Sequence, residues 1–212
     1  MSVADSAMRG LLKRAPVIPV YTPGSVDEAV QVAQALQRGG LPVIEVTLRT
    51  PIAMAALKAM VEVAPDAAIG AGTVLTPAQL REVKAAGAAF AVSPGGTTAL
   101  YETARELEFA FLPGIATASE LMLGLQAGLD CFKFFPAAQI GGVALLSSFS
   151  GPFSDVLFCP TGGITLLTAP DYLRLGNVAC VGGSWITTPA RLAAKDWPGI
   201  EVAAREAALL SR

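Results

Sequence analysis

Histidine is absent from the 212 residues. Its absence excludes Ser-His-Asp and Cys-His catalysis, histidine metal ligands and the usual neutral-pH proton shuttle. Acid–base work must therefore fall to carboxylates, lysine, cysteine or tyrosine in environments that adjust them. Charge is also scarce, with 15% charged residues against a usual share of about 25%. Lys+Arg number 15 and Asp+Glu 17, for a net charge of -2, which argues against nucleic acid as the main partner. A bound anion would need a local site. Cysteine is limited to Cys131, Cys159 and Cys180, with no C-x-x-C pair. Each sits in an apolar run, so buried reduced thiols are expected. A membrane span is excluded as well. The uncharged stretch 134–154 carries Pro136, Gln139, Gly141, Gly142, Ser147, Ser148 and Pro152, which a bilayer-spanning helix would not. The first residues, with Asp5 before any apolar stretch, do not read as a signal peptide. A cytoplasmic protein without membrane or nucleic-acid partners is expected.

What remains is apolar. Hydrophobic residues make up 53% of the chain, enough to exclude disorder and to demand a large core. A small monomer with so few charges would struggle to cover itself, so an oligomer is predicted. The length fits a single domain spanning 1–212.

Short β-branched runs alternate with Ala/Leu-rich helical stretches. The runs are PVIPVY (16–21), VIEVTL (43–48), AIGAGT (68–73), FAVSP (90–94), AFLPGI (110–115), CFKFFP (131–136), VLFCPTG (156–162) and VACVGGS (178–184), beginning 20 to 27 residues apart. The helical stretches carry start and stop signals. Ser25 has Glu28 three residues on and Gly39 or Gly40 as a stop; Thr76 is followed by Pro77, with Gly87 at the end. TASELMLGLQAGL repeats this grammar. Eight such units predict an α/β fold, a (β/α)8 TIM barrel. A doubly wound open sheet is the alternative. An extra N-terminal helix over about residues 2–14 is expected to plug the barrel bottom, and 201–210 to form the eighth helix.

The eight runs, each taken with the residue after it, hold three charged side chains: Glu45, Arg49 and Lys133. Strand side chains alternate between faces. Glu45, Thr47 and Arg49 therefore share one face. Lys133 shares its face with Cys131 and Phe135, while Phe132 and Phe134 suit the helix layer, so Lys133 should point into the barrel. A buried charge without a partner costs several kcal/mol. One reading is a Lys133–Glu45 ion pair with no chemistry. Against it, active sites of such barrels lie at the C-terminal ends of the strands, where these polar residues gather. Desolvation among Phe132, Phe134 and Phe135 favours the free amine, the nucleophile of Schiff-base chemistry. The other lysines (Lys13, Lys58, Lys84, Lys195) fall on helical or terminal segments with polar neighbours. Glu45 is the default proton carrier, and Arg49 offers a fork for a carboxylate.

The seventh run ends in TGGIT (161–165) and the eighth in VGGSW (181–185). Paired glycines let backbone N–H groups approach an anion, and loops after strands seven and eight often hold phosphate in these barrels. Gly162, Gly163, Gly183 and Ser184 are the candidates. One Gly-Gly pair is mostly a turn; two pairs at these two strand ends are stronger. GAGT (70–73) and SPG (93–95) are weaker and read equally as turns.

VIEVTLRTP, IGAGTVLTPAQL, AVSPG, LPGIATASELMLGL, FKFFPA, FCPTGGI and VGGSWI, in this order over residues 15–189, resemble the 2-keto-3-deoxy-6-phosphogluconate and 4-hydroxy-2-oxoglutarate aldolase family. The resemblance implies a class I aldolase, free of metal and cofactor, on a (β/α)8 barrel and usually a homotrimer. It implies the Schiff-base role for Lys133, acid–base work for Glu45, carboxylate binding for Arg49, and a pyruvate site lined by Thr73, Phe135 and Pro94. It places phosphate contacts at Gly162, Gly163 and Ser184. The implied reaction cleaves 2-keto-3-deoxy-6-phosphogluconate to pyruvate and glyceraldehyde 3-phosphate, with some 4-hydroxy-2-oxoglutarate activity; the galactonate epimer is an alternative substrate. Departures are Ala144 where many relatives carry a basic residue, Gly96 where a larger one is common, and the YTP segment (21–23), where relatives vary. Further alternatives are a phospho-sugar isomerase or epimerase and a non-catalytic trimeric scaffold.

Overall fold

The computed structural model describes residues 3–211. Helix α1 (Val3–Leu12) precedes β1 (Val17–Tyr21), α2 (Val26–Arg38), β2 (Val43–Thr47), α3 (Ala53–Val63), β3 (Ala68–Gly72), α4 (Pro77–Ala85), β4 (Phe90–Val92) and α5 (Thr98–Glu106). Then come β5 (Phe111–Leu112), β6 (Gly114–Ile115), α6 (Ala118–Gln126), β7 (Cys131–Phe134), α7 (Gly142–Phe149), β8 (Leu157–Pro160), α8 (Ala169–Leu173), β9 (Val181–Gly183), α9 (Pro189–Ala193) and α10 (Trp197–Ala208). Helix α1 ends at Leu12, short of the expected 14; Ser2 lies outside the described residues.

The pairing is parallel, in the order β5-β4-β3-β2-β1-β9, with a second group β6-β7-β8. Isolated parallel bridges join Phe158 to Val178 and Thr161 to Gly182. The result is an α/β fold with a curled parallel sheet. Two expectations shift. The run 110–115 divides into β5 and β6 because Pro113 has no N–H to donate, although its carbonyl accepts from Lys133 N at 2.9 Å. The last helix starts four residues before the expected 201, because Asp196 caps it by accepting from Gly199 N at 2.9 Å and Pro198 fits its first turn.

The other start signals act as read. Ser25 Oγ accepts from Glu28 N at 3.1 Å. Thr76 with Gln79 and Thr117 with Glu120 form reciprocal capping boxes. Burial raises the Glu120 carboxyl, but bonds from the Ala116 and Thr117 backbone N–H groups and the Thr117 side chain outweigh this and hold it below its ordinary value.

Strand alternation sorts the interior into two apolar clusters. Outward residues such as Ile44, Val46, Ile69, Phe132, Phe134 and Phe158 pack against the helices. Inward residues such as Ile18, Val43, Phe90 and Leu112 join Met8 and Leu12 of α1. Cys131, Cys159 and Cys180 are buried in this inner cluster. The inner face is thus apolar at the N-terminal ends of the strands and becomes polar only toward their C-terminal ends.

Candidate active site

Lys133 and Glu45 face inward, as their parity requires: Cys131 belongs to the inner cluster and Phe132 and Phe134 to the outer one. Their strands are not paired. β2 lies between β1 and β3, and β7 between β6 and β8. The two side chains therefore meet across the interior. Lys133 Nζ donates to Glu45 Oε1 at 3.1 Å and to Oε2 at 3.4 Å. Glu45 is 3% and Lys133 4% exposed. Nζ also lies 5.2 Å from the centroid of the Phe135 ring, within cation–π range.

Room for this pair depends on glycine. A Cβ on Gly72, directly after Ala71 on the neighbouring β3, would lie 2.2 Å from Glu45 Oε1. The next residue, Thr73, has φ 61°, a left-handed conformation costly for a β-branched side chain. That backbone presents Thr73 Oγ1 to Arg49 Nε, which donates to it at 3.1 Å. The exposed Arg49 guanidinium is ion-paired with none of the described carboxylates.

Toward the C-terminal ends of the strands lies a cavity of about 160 Å³, whose lining includes Phe135 but neither Lys133 nor Glu45. Arg49 and Phe135 line one part of it, and Gly162, Gly163, Gly183 and Ser184 another. Gly162 and Gly163 adopt φ values of 105° and 73°, open to glycine at little cost. The candidates from both strand-end clusters thus share one cavity. Pro94 does not line it: it is exposed on the loop after β4, its carbonyl against Gly114. Thr73 touches the site through Arg49. A larger hollow of about 490 Å³ between α5 and α6, lined among others by Tyr101, Arg105 and Leu123, contains no strand residue.

Four hydroxyl or apolar contributors went unread in the sequence: Val20 and Thr22 from β1 and its end, and Thr161 and Ile164 on either side of the Gly162-Gly163 pair, all of which line the cavity. Val20 and Thr22 share the inward face with Ile18, and Thr161 directly precedes the Gly162-Gly163 pair, so parity and adjacency were the available signals. Among the described residues no group of three or more His, Cys, Asp or Glu side chains could hold a metal ion, and no helix is long and apolar enough to cross a membrane.

A curled parallel sheet with an inward lysine–carboxylate pair near a glycine-lined cavity suits an enzyme whose lysine amine attacks a carbonyl. The family model for KDPG and KHG aldolase matches residues 8–203, and the chain belongs to this family. It is 49% identical over 202 residues, covering 95% of both chains, to the KHG/KDPG aldolase of Escherichia coli K12. The crystal structure of 2-keto-3-deoxy-6-phosphogluconate aldolase from Zymomonas mobilis superposes with a TM-score of 0.93 at 46% identity, covering 97% of this chain and 98% of that one. The aldolase of Legionella pneumophila, solved with pyruvate captured as a covalent carbinolamine, gives a TM-score of 0.93 at 46% identity over 95% and 98% of the two chains.

Proposed function

We propose that this chain is a class I aldolase that cleaves 2-keto-3-deoxy-6-phosphogluconate to pyruvate and glyceraldehyde 3-phosphate, with some activity on 4-hydroxy-2-oxoglutarate. The observation that carries the reading is the buried Lys133–Glu45 pair at 3.1 Å near a cavity lined by Arg49 and the Gly162-Gly163 turn. The carbinolamine captured in the Legionella relative is the adduct an amine forms with a ketone, and Lys133 supplies the amine here.

The steps follow from that geometry. The Lys133 ammonium passes a proton to Glu45, and the free amine attacks C2 of the substrate. Glu45 returns that proton to the departing hydroxyl as the carbinolamine loses water, which leaves Glu45 a carboxylate and gives an iminium that acts as an electron sink. Glu45, directly or through water, takes the C4 hydroxyl proton; the C3–C4 bond breaks, leaving an enamine and releasing the aldehyde. Glu45 then returns a proton to C3, and hydrolysis of the iminium frees pyruvate and Lys133. With no histidine in the chain, one carboxylate carries the proton in each step. Arg49, held by Thr73, binds the carboxylate of the pyruvate half. Phe135 walls that half. The N–H groups of Gly162 and Gly163, with Gly183 and Ser184, receive the phosphate.

For the architecture, we propose a closed eight-stranded barrel forming one domain over 1–212, with α1 across its lower end. The β8–β9 bridges and the single residue between β5 and β6 support closure. Contacts of Met8 and Leu12 with the inner cluster support the plug. A cytoplasmic homotrimer is the proposed working form; the exposed Met122, Leu123 and Leu125 of α6 favour burial against another copy.

Borohydride with pyruvate is expected to trap a stable adduct on Lys133, identified by mass spectrometry of peptides. An active preparation that yields no adduct on Lys133 overturns the mechanism.

A further inference from the structure

We propose that Thr22 determines specificity by binding the C5 hydroxyl of the substrate, the hydroxyl between the reacting carbon and the phosphate; this rests on the aldolase reading above. Val20 pairs with Glu45 in the β1–β2 register, so Thr22, two residues on, stands opposite Thr47 on the same inward face. Both Val20 and Thr22 line the cavity. β1 runs between β2, which leads to Arg49, and β9, which leads to Ser184. Thr22 therefore occupies the strand between the keto-acid end and the phosphate end of the site.

Its hydroxyl has a defined direction. Thr22 Oγ1 and Thr47 Oγ1 are 2.8 Å apart. Thr47 is 0% exposed, and among the described residues its hydroxyl has no other partner. If Thr22 were the donor, the buried Thr47 proton would have no acceptor, a cost that native interiors avoid. Thr47 is therefore the donor. Thr22 keeps its own O–H and one lone pair for the cavity, where it is exposed.

The backbone on either side of Thr22 is tied down. Thr50 Oγ1 donates to the Pro23 carbonyl at 3.0 Å. Glu28 Oε1 accepts from Gly24 N at 3.0 Å and from the buried Tyr21 hydroxyl at 2.7 Å. A hydroxyl fixed in this way discriminates well, because a partner lacking the matching group leaves it unpaired. The phosphorylated six-carbon substrate carries a hydroxyl at C5. 4-Hydroxy-2-oxoglutarate carries a carboxylate there instead, which can accept from the Thr22 O–H but has no proton to give its free lone pair, so it makes only half of this contact.

The test compares kcat/KM for 2-keto-3-deoxy-6-phosphogluconate, its 5-deoxy analogue and 4-hydroxy-2-oxoglutarate, in the wild type, Thr22→Val and Thr22→Ser. The wild type is expected to prefer the natural substrate over the 5-deoxy analogue by about 10-fold or more. In Thr22→Val that preference should collapse to under about threefold, and the ratio of phosphogluconate to oxoglutarate cleavage should fall with it; Thr22→Ser should keep both ratios. A wild type that cleaves the 5-deoxy analogue as well as the natural substrate overturns the proposal even if no variant folds. So does a Thr22→Val enzyme that retains the preference. A wild type that cleaves none of the three would instead overturn the aldolase reading on which the proposal stands.

Discussion

Removing the two members of the buried pair separately and together distinguishes an ion pair kept for chemistry from one kept for stability. Glu45→Leu leaves a buried amine and Lys133→Met a buried carboxylate, each 3–4% exposed in the parent. Stranding one partner of such a pair typically costs about 3–5 kcal/mol. At about 2–4 °C per kcal/mol for a chain of this size, each single variant should melt about 6–20 °C lower. The double variant replaces the pair with apolar groups of similar length and should return to within about 1 kcal/mol of the parent, or exceed it. Differential scanning calorimetry and denaturant titration at pH 7 would measure the cycle. Pyruvate release, followed with coupled lactate dehydrogenase, should be lost in all three variants. Single losses that are small and simply add in the double variant would refute the buried contact. A double variant that still releases pyruvate above background would refute the chemistry assigned to it.

Other expectations follow from the same structure. Gly163→Ala forces φ 73° on alanine and brings a Cβ to 2.7 Å from that of Ala138; the KM for the phosphorylated substrate should rise about 10-fold or more, and an unchanged KM would remove the turn from the phosphate site. The Glu120 carboxyl, held low by its capping bonds, contributes stability above its unfolded value near about pH 4, lost as pH falls through the lower folded value. Glu120→Gln should therefore be less stable than the parent at pH 7, with the gap closing at pH 3; a gap that widens in acid would contradict the sign. EDTA at millimolar concentration should leave cleavage intact, and inhibition reversed by a divalent ion would point to a metal-dependent aldolase.

Much of the site was legible because core strands carry almost no charge. Glu45, Arg49 and Lys133 stood out against that background, and a period of two assigned their faces without any coordinates. Caps were legible for the same local reason: Ser25, Thr76 and Thr117 act within three residues. Pro94 shows the limit. Its motif is close to the site in sequence pattern, but it is exposed on the loop after β4 and does not line the cavity. The split at Pro113 and the early start of α10 were readable from proline and from Asp196, yet the hydrophobic runs masked them.

The chain by itself determined which side chains face inward and which chemistry they can perform, because alternation and the lack of histidine are properties of local order and composition. Only the tertiary structure decided that Lys133 and Glu45, 88 positions apart, touch. It also decided that Gly72 makes space for that contact and that the hydroxyls of Thr22 and Thr47 lock together at the cavity wall. These depend on how far the sheet curls and on which strands end side by side. No spacing along the chain encodes a distance across an interior.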